Sequence, residues 1–158
     1  QLIKEGKRDK ALKVLQRGEQ VLPPSQVPYE VWSLGMDPKT QLLTLPECYR
    51  ELGKTKEAET ILKSVADRAM AYFDWYNSFS ESRLSSMSGD IMQQYQMLSM
   101  AIDGLSKCQS PLAESYTKRI DRLQNTPAGR VLISAMNARR AAAAQRYLPE
   151  DAADYVGE

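Results

Sequence analysis

Gly53-Lys54-Thr55-Lys56-Glu57-Ala58 repeats in outline Gly6-Lys7-Arg8-Asp9-Lys10-Ala11. In both stretches a glycine is followed five residues later by an alanine. Glycine enters the left-handed conformation that ends a helix without steric cost, and alanine lets two helices approach closely. The pair therefore predicts a helix end, a tight turn and a new helix, twice in one chain.

The residues beyond these turns carry helical periodicity. Asp9 to about Leu22 has apolar Ala11, Leu12, Val14, Leu15 and Leu22, and Pro23-Pro24 stops it. Residues 23–38 hold Pro23, Pro24, Pro28, Gly35 and Pro38, which reads as an extended loop. Its Val27, Tyr29, Val31, Trp32 and Leu34 imply that the loop packs onto the body. A second helix ends at Leu52-Gly53. It starts either at Thr44, with Pro46 in its first turn, or near Lys39 with a kink at Pro46. A break or kink near Pro46 is expected in either case.

Thr55 to about Phe79 is the longest block, with Ala58, Ile61, Leu62, Val65, Ala69, Tyr72, Phe73, Tyr76 and Phe79 recurring at helical spacing. Ser80 to Ser88 reads as a polar separator. Gly89 to about Lys107 is a Met-rich helix. Pro111 opens another to about Asn125, and Thr126-Pro127 supplies a cap and first position for a last helix to about Tyr147. Leu148-Pro149 ends it, and residues 150–158 read as a short acidic, flexible tail. No block alternates apolar and polar residues as a strand would. The fold class expected is all-α, with about six helices in antiparallel hairpins over residues 1–149.

The Gly-to-Ala turn resembles that of a tetratricopeptide repeat. In the second copy Leu42, Leu45 and Tyr49 stand where that repeat has its Trp, Leu and Tyr, and Leu62 where it has an aromatic residue. The resemblance implies a right-handed array of hairpins. The copies lie 47 residues apart against a usual period of about 34, Pro46 replaces the family's Gly, and Met70 stands where Pro would end the second helix. The order of long helix with Trp75-Tyr76, polar gap and Ser88-Gly89-Asp90 is also similar to the soluble carboxy-terminal tail of a bacterial polytopic membrane family related to protein O-mannosyltransferases. That similarity implies a fragment of a longer chain, on the extracytoplasmic face of a membrane.

Composition narrows the chemistry. The chain has 158 residues, 21 basic and 20 acidic, a formal net charge of +1 and no histidine. Near-neutrality offers no global field for nucleic acid. The missing histidine removes Ser-His and Cys-His nucleophile pairs and the commonest metal ligand. Cys48 and Cys108 have no metal-ligand spacing. They read as buried free thiols, with a disulfide left open. No cofactor is expected, nor direct membrane insertion, because no apolar run approaches the ~18 residues a span requires.

Among the candidate residues, Tyr72, Phe73, Trp75, Tyr76 and Phe79 read as core, with Trp75 off the stripe and the most exposed. Met87, Met92, Met97 and Met100 read as core gap-fillers. Arg130, Arg139, Arg140 and Arg146 read as a solvated face. In tetratricopeptide folds the first helix of each hairpin lines a concave groove. Carried over by position, Leu43, Glu47, Arg50 and Glu51, together with Thr40 and with Ile3 and Lys4 of the preceding hairpin, would face it. The function expected is a non-catalytic interaction module for a peptide or protein, including the membrane-embedded half of its own parent. The alternative is a domain handling carbohydrate- or lipid-linked substrates, with Trp32, Trp75 and Tyr76 stacking on sugar.

Overall fold

The turn that the two glycines predict is present at both sites, and its hydrogen bonds show why glycine stands there. A computed structural model describes residues 1–29 and 38–146. At the first site the Gly6 N–H donates to the Ile3 carbonyl at 3.0 Å and the Lys7 N–H to the Leu2 carbonyl at 2.9 Å. At the second, Gly53 donates to Arg50 at 2.9 Å and Lys54 to Tyr49 at 2.8 Å. This is the Schellman closure, which ends a helix at Gly53 and follows a stretch of turns at Gly6, and it needs positive φ at the glycine. The angles are +76° at Gly6 and +77° at Gly53.

The described residues are all-α, without a strand. Seven helices follow in order: α1 (Arg8–Val21), α2 (Pro38–Glu51), α3 (Thr55–Tyr76), α4 (Glu81–Ser86), α5 (Ser88–Lys107), α6 (Leu112–Leu123) and α7 (Pro127–Arg146). The helix beyond the expected six is α4. It lies inside the stretch read as a polar separator, and its single apolar residue, Leu84, is fully buried. Of the two starts left open for the second helix, the structure has the one near Lys39. α2 is one helix from Pro38, with Pro46 inside it. Proline there forfeits one backbone hydrogen bond. Pro46 is buried on the α5 side of α2, so packing supports the helix at the point where its ladder is broken.

A third turn has the same closure without a glycine. The Gln109 N–H donates to Ser106 at 2.9 Å and the Ser110 N–H to Leu105 at 3.0 Å, with Gln109 at φ +56°. α2 and α3 thus form one hairpin, and α5 and α6 another. Counted back from the left-handed residue, Leu105 takes the place of Tyr49 and Ala101 that of Leu45. Tyr49, Leu105 and Ala101 are all buried.

α3 and α5 pack most extensively of all pairs. Gly104 allows a close approach between them, since an added Cβ there would lie 2.7 Å from Leu62 Cδ2. Around this contact a continuous core gathers Leu62, Val65, Phe73, Tyr76, Leu84, Ile91, Leu98, Leu105 and Tyr116. Met92 belongs to it, and Met87, Met97 and Met100 fill its margin. A smaller cluster of Tyr49, Ala58 and Ile61 receives Leu12 and Leu15 of α1. Ala11 and Ala58 are both buried, as the hairpin reading requires. Val14 and Leu22 of the expected α1 stripe are instead exposed, and Ala11 is the buried residue of α1.

Of the loop read over residues 23–38, Pro23 accepts hydrogen bonds from the Gln26 and Val27 N–H groups, and Tyr29 packs against both clusters. Trp32 and the acidic tail 150–158 lie outside the described residues.

Candidate functional site

The face of α2 carried over from the repeat resemblance is a charged seam against α5. Glu47 and Arg50 line a crevice with Pro46, Leu62, Gly104, Lys107 and Cys108. Its free volume is only about 10 Å³, at the limit of what one water molecule needs. Both side chains are exposed, so the seam is a surface and not a cavity. Lys107 pairs with Asp103 at 2.8 Å, and this hydrogen bond, with the Asp103 charge and a smaller one from Glu47, raises the Lys107 pKa. Glu51 and Lys4 are exposed at equivalent positions of their two turns, two residues before Gly53 and Gly6. The Arg8 guanidinium donates to the Glu51 carbonyl at 2.7 Å, satisfying one of the free acceptors at the end of α2. Leu43 belongs to α2, but its side chain lies outside the described residues.

Trp75 is the most open of the aromatic group, as expected, but Tyr72, read as core, is 40% exposed as well. Phe73 and Tyr76 are in the core, and Trp75 is 50% exposed. The Trp75 ring stands edge-on to Phe79 at 4.9 Å between centroids, and Arg83 covers Phe79 at 4.6 Å. Tyr76 is only 2% exposed and presents no ring to a ligand.

Cys48 and Cys108 are free thiols and half-buried, a lesser burial than expected. Burial raises the pKa of both and leaves them poor nucleophiles. Among the described residues no three or more carboxylates and cysteines are grouped to hold a metal ion, and no helix is long and apolar enough to cross a membrane.

A concavity larger than the seam's crevice lies where the repeat resemblance points to nothing, between α6 and α7. The two helices form a V across α5. Its apex is fixed by close contacts: a Cβ on Gly129 would fall 1.8 Å from the Leu123 carbonyl oxygen. Thr126 accepts the Gly129 N–H at 3.2 Å, the cap expected of Thr126-Pro127, and Asn77 accepts the Ala128 N–H at 3.0 Å. Arg130, at the base of α7, pairs with Glu81 of α4 and donates to the Asn125 carbonyl at 3.1 Å.

The V encloses about 310 Å³, at the lower end of ligand-sized sites. Tyr95 of α5 contributes to its lining, with Ile120, Leu123 and Gln124 on one wall and Leu132, Ile133 and Met136 on the other. Asn137 and Arg140 follow along α7. Sequence reasoning missed this groove because its residues come from three helices and no local pattern joins them.

The described residues form an all-α fold of helical hairpins with a groove on its surface. No known protein family, curated protein or solved structure matches the chain.

Proposed function

We propose that this chain is a non-catalytic interaction module of tetratricopeptide-like hairpins that holds a peptide or partner domain on its helical surface. The carrying observation is the recurrence of one Schellman-type turn at Gly6, Gly53 and Gln109, ending a helix at the last two, where the residue four positions earlier is buried. Stacked hairpins built on one repeated joint create extended surfaces, not enclosed reaction chambers. The resemblance to mannosyltransferase-related tails adds a context, in which the partner is the membrane-embedded half of a longer parent on the extracytoplasmic side. A sugar-handling role is the second reading; the exposed Trp75 favours it, and the burial of Tyr76 leaves it one aromatic ring fewer.

The test is a random-peptide display library panned on the folded chain. Enriched peptides should lose binding to one of two surface variants, Arg50→Glu on the α2 seam or Ile133→Glu in the α6–α7 groove, with helicity by circular dichroism unchanged. A library that yields no enriched peptide, or peptides indifferent to both variants, overturns the reading.

A further inference from the structure

We infer that the groove between α6 and α7 receives a single amphipathic α-helix of a partner protein, apolar along one face and acidic where it passes Arg140. The inference rests on the interaction-module reading and deepens it by naming the site and the chemistry of the partner.

Three observations select a helix. The walls are themselves helices, so away from their ends the backbone donors and acceptors are bonded internally and no row of them is offered to an extended strand. An extended peptide would need partners for its own backbone, yet the polar side chains on the lining, other than the Tyr95 hydroxyl, are Gln124, Asn137 and Arg140. A helix brings its backbone already satisfied and asks the groove only for apolar contact. Second, the α7 wall repeats at helical pitch. Leu132, Met136 and Arg140 are spaced by four, as are Ile133 and Asn137, giving the ridges that pack into the grooves of another helix. Third, Ile133 is 39% exposed, a large apolar side chain left half-open on the wall of an otherwise apolar groove.

Charge selects the acidic flank. Arg140 is the one charged residue on the lining, it lies furthest along α7 from the apex, and it is exposed. A carboxylate on the partner would meet it at the edge of an apolar floor, where such pairs set orientation and partner choice. Beyond Arg140 the exposed Ala141–Ala144 side chains would let a neighbouring backbone lie close to α7.

The probe is a side-chain-stapled helical peptide with Leu along one face and Glu beside it, fluorescently labelled and titrated by anisotropy. Two controls have the same length: a scrambled peptide without an apolar face, and one with Lys for every Glu. The acidic helix should bind at least about tenfold tighter than either control. Ile133→Glu should abolish that binding, and Arg140→Glu should reverse the preference between the Glu and Lys peptides. Both positions are exposed, and circular dichroism and melting confirm folding; Arg140→Glu alone suffices should Ile133→Glu fail to fold. The inference is overturned if the acidic helix binds no tighter than its controls or binds the variants as it binds the parent. Binding that survives Ile133→Glu and is lost in Arg50→Glu also overturns it, and leaves the broader interaction-module reading standing.

Discussion

The joint between α1 and the rest of the chain is built differently from the contact between α3 and α5. The α3–α5 contact is apolar and close, with Leu62 against Gly104 and a ring of fully buried Phe73, Leu98 and Leu105. The α1 joint has a small apolar patch and relies on a carboxylate. Glu19 accepts the Tyr49 hydroxyl at 2.7 Å and the Tyr29 hydroxyl at 3.0 Å, tying α1 to α2 and to the loop between them. Burial, followed by the bonds to Glu19, raises both phenol pKa values, so the tyrosines stay neutral donors. The first kind of contact is strong but sums over many atoms. The second holds orientation through a few directional bonds, each worth about 1 kcal/mol net. α1 is therefore the part of the fold expected to loosen first.

Phe73→Ala breaks the stronger region. It should cost about 3–5 kcal/mol, the usual range for removing a buried aromatic ring. The loss should be cooperative, seen as one lowered thermal transition by circular dichroism. A native-like melting temperature would mean that the core tolerates the void and that the α3–α5 contact is not the centre of stability.

Tyr49→Phe acts on the weaker region and keeps the ring. Its expected cost is about 1 kcal/mol, and the location of the loss matters more than its size. Amide hydrogen exchange should quicken in α1 while α3 and α5 keep their protection. Equal loss in all three helices would show that the two clusters unfold as one unit, joined through Tyr29 and Cys108, which touch both.

Asp67 makes a similar carboxylate clamp inside the larger region. It accepts Tyr116 and Lys63, each at 2.5 Å. Burial works to raise its pKa, but these two bonds with the Lys63 and Arg119 charges prevail and lower it. A folded-state pKa below the unfolded one means that this contribution is present at neutral pH. It is lost as the pH falls from the ordinary value of 3.8 through the folded value. Asp67 is half-exposed, so Asp67→Asn should cost only about 0.5–1 kcal/mol at pH 7. Urea midpoints of parent and variant should converge in acid; a constant gap from neutral to acid pH would remove the ionised clamp from the account.

Much of this architecture could be read from residues, and the failures have physical causes. Periodic blocks gave α3, α5 and α6 because burial of one face leaves a mark every three to four residues, while Thr126-Pro127 marked the start of α7. Leu84 left none, since one apolar residue in a six-residue helix has no period. Pro46 left the start of α2 open because proline penalises a helix locally, while the packing that supports it comes from α5. The α2 face was found by position in a repeat and proved a surface seam. The α6–α7 groove depends on how Gly129 sets α7 against the end of α6, which no spacing in either helix encodes.

The third turn escaped notice because its left-handed residue is Gln109, and this allows the smallest of the tests. A side chain at positive φ costs about 1–2 kcal/mol relative to glycine, and Gln109 at +56° carries that cost where Gly6 and Gly53 do not. Gln109→Gly removes it, but also frees the unfolded chain, which returns about 0.4–1 kcal/mol of the gain. The net should be a stabilisation of about 0.5 kcal/mol, read as a higher urea midpoint with an unchanged slope. The reverse change, Gly53→Ala, should lose about 1 kcal/mol from backbone conformation alone, since an added Cβ at Gly53 meets nothing within 4 Å. The signs should be opposite if the three turns are one joint used three times. A destabilised Gln109→Gly would mean that the glutamine side chain makes its own contribution at the α5–α6 joint, and that this turn only imitates the other two.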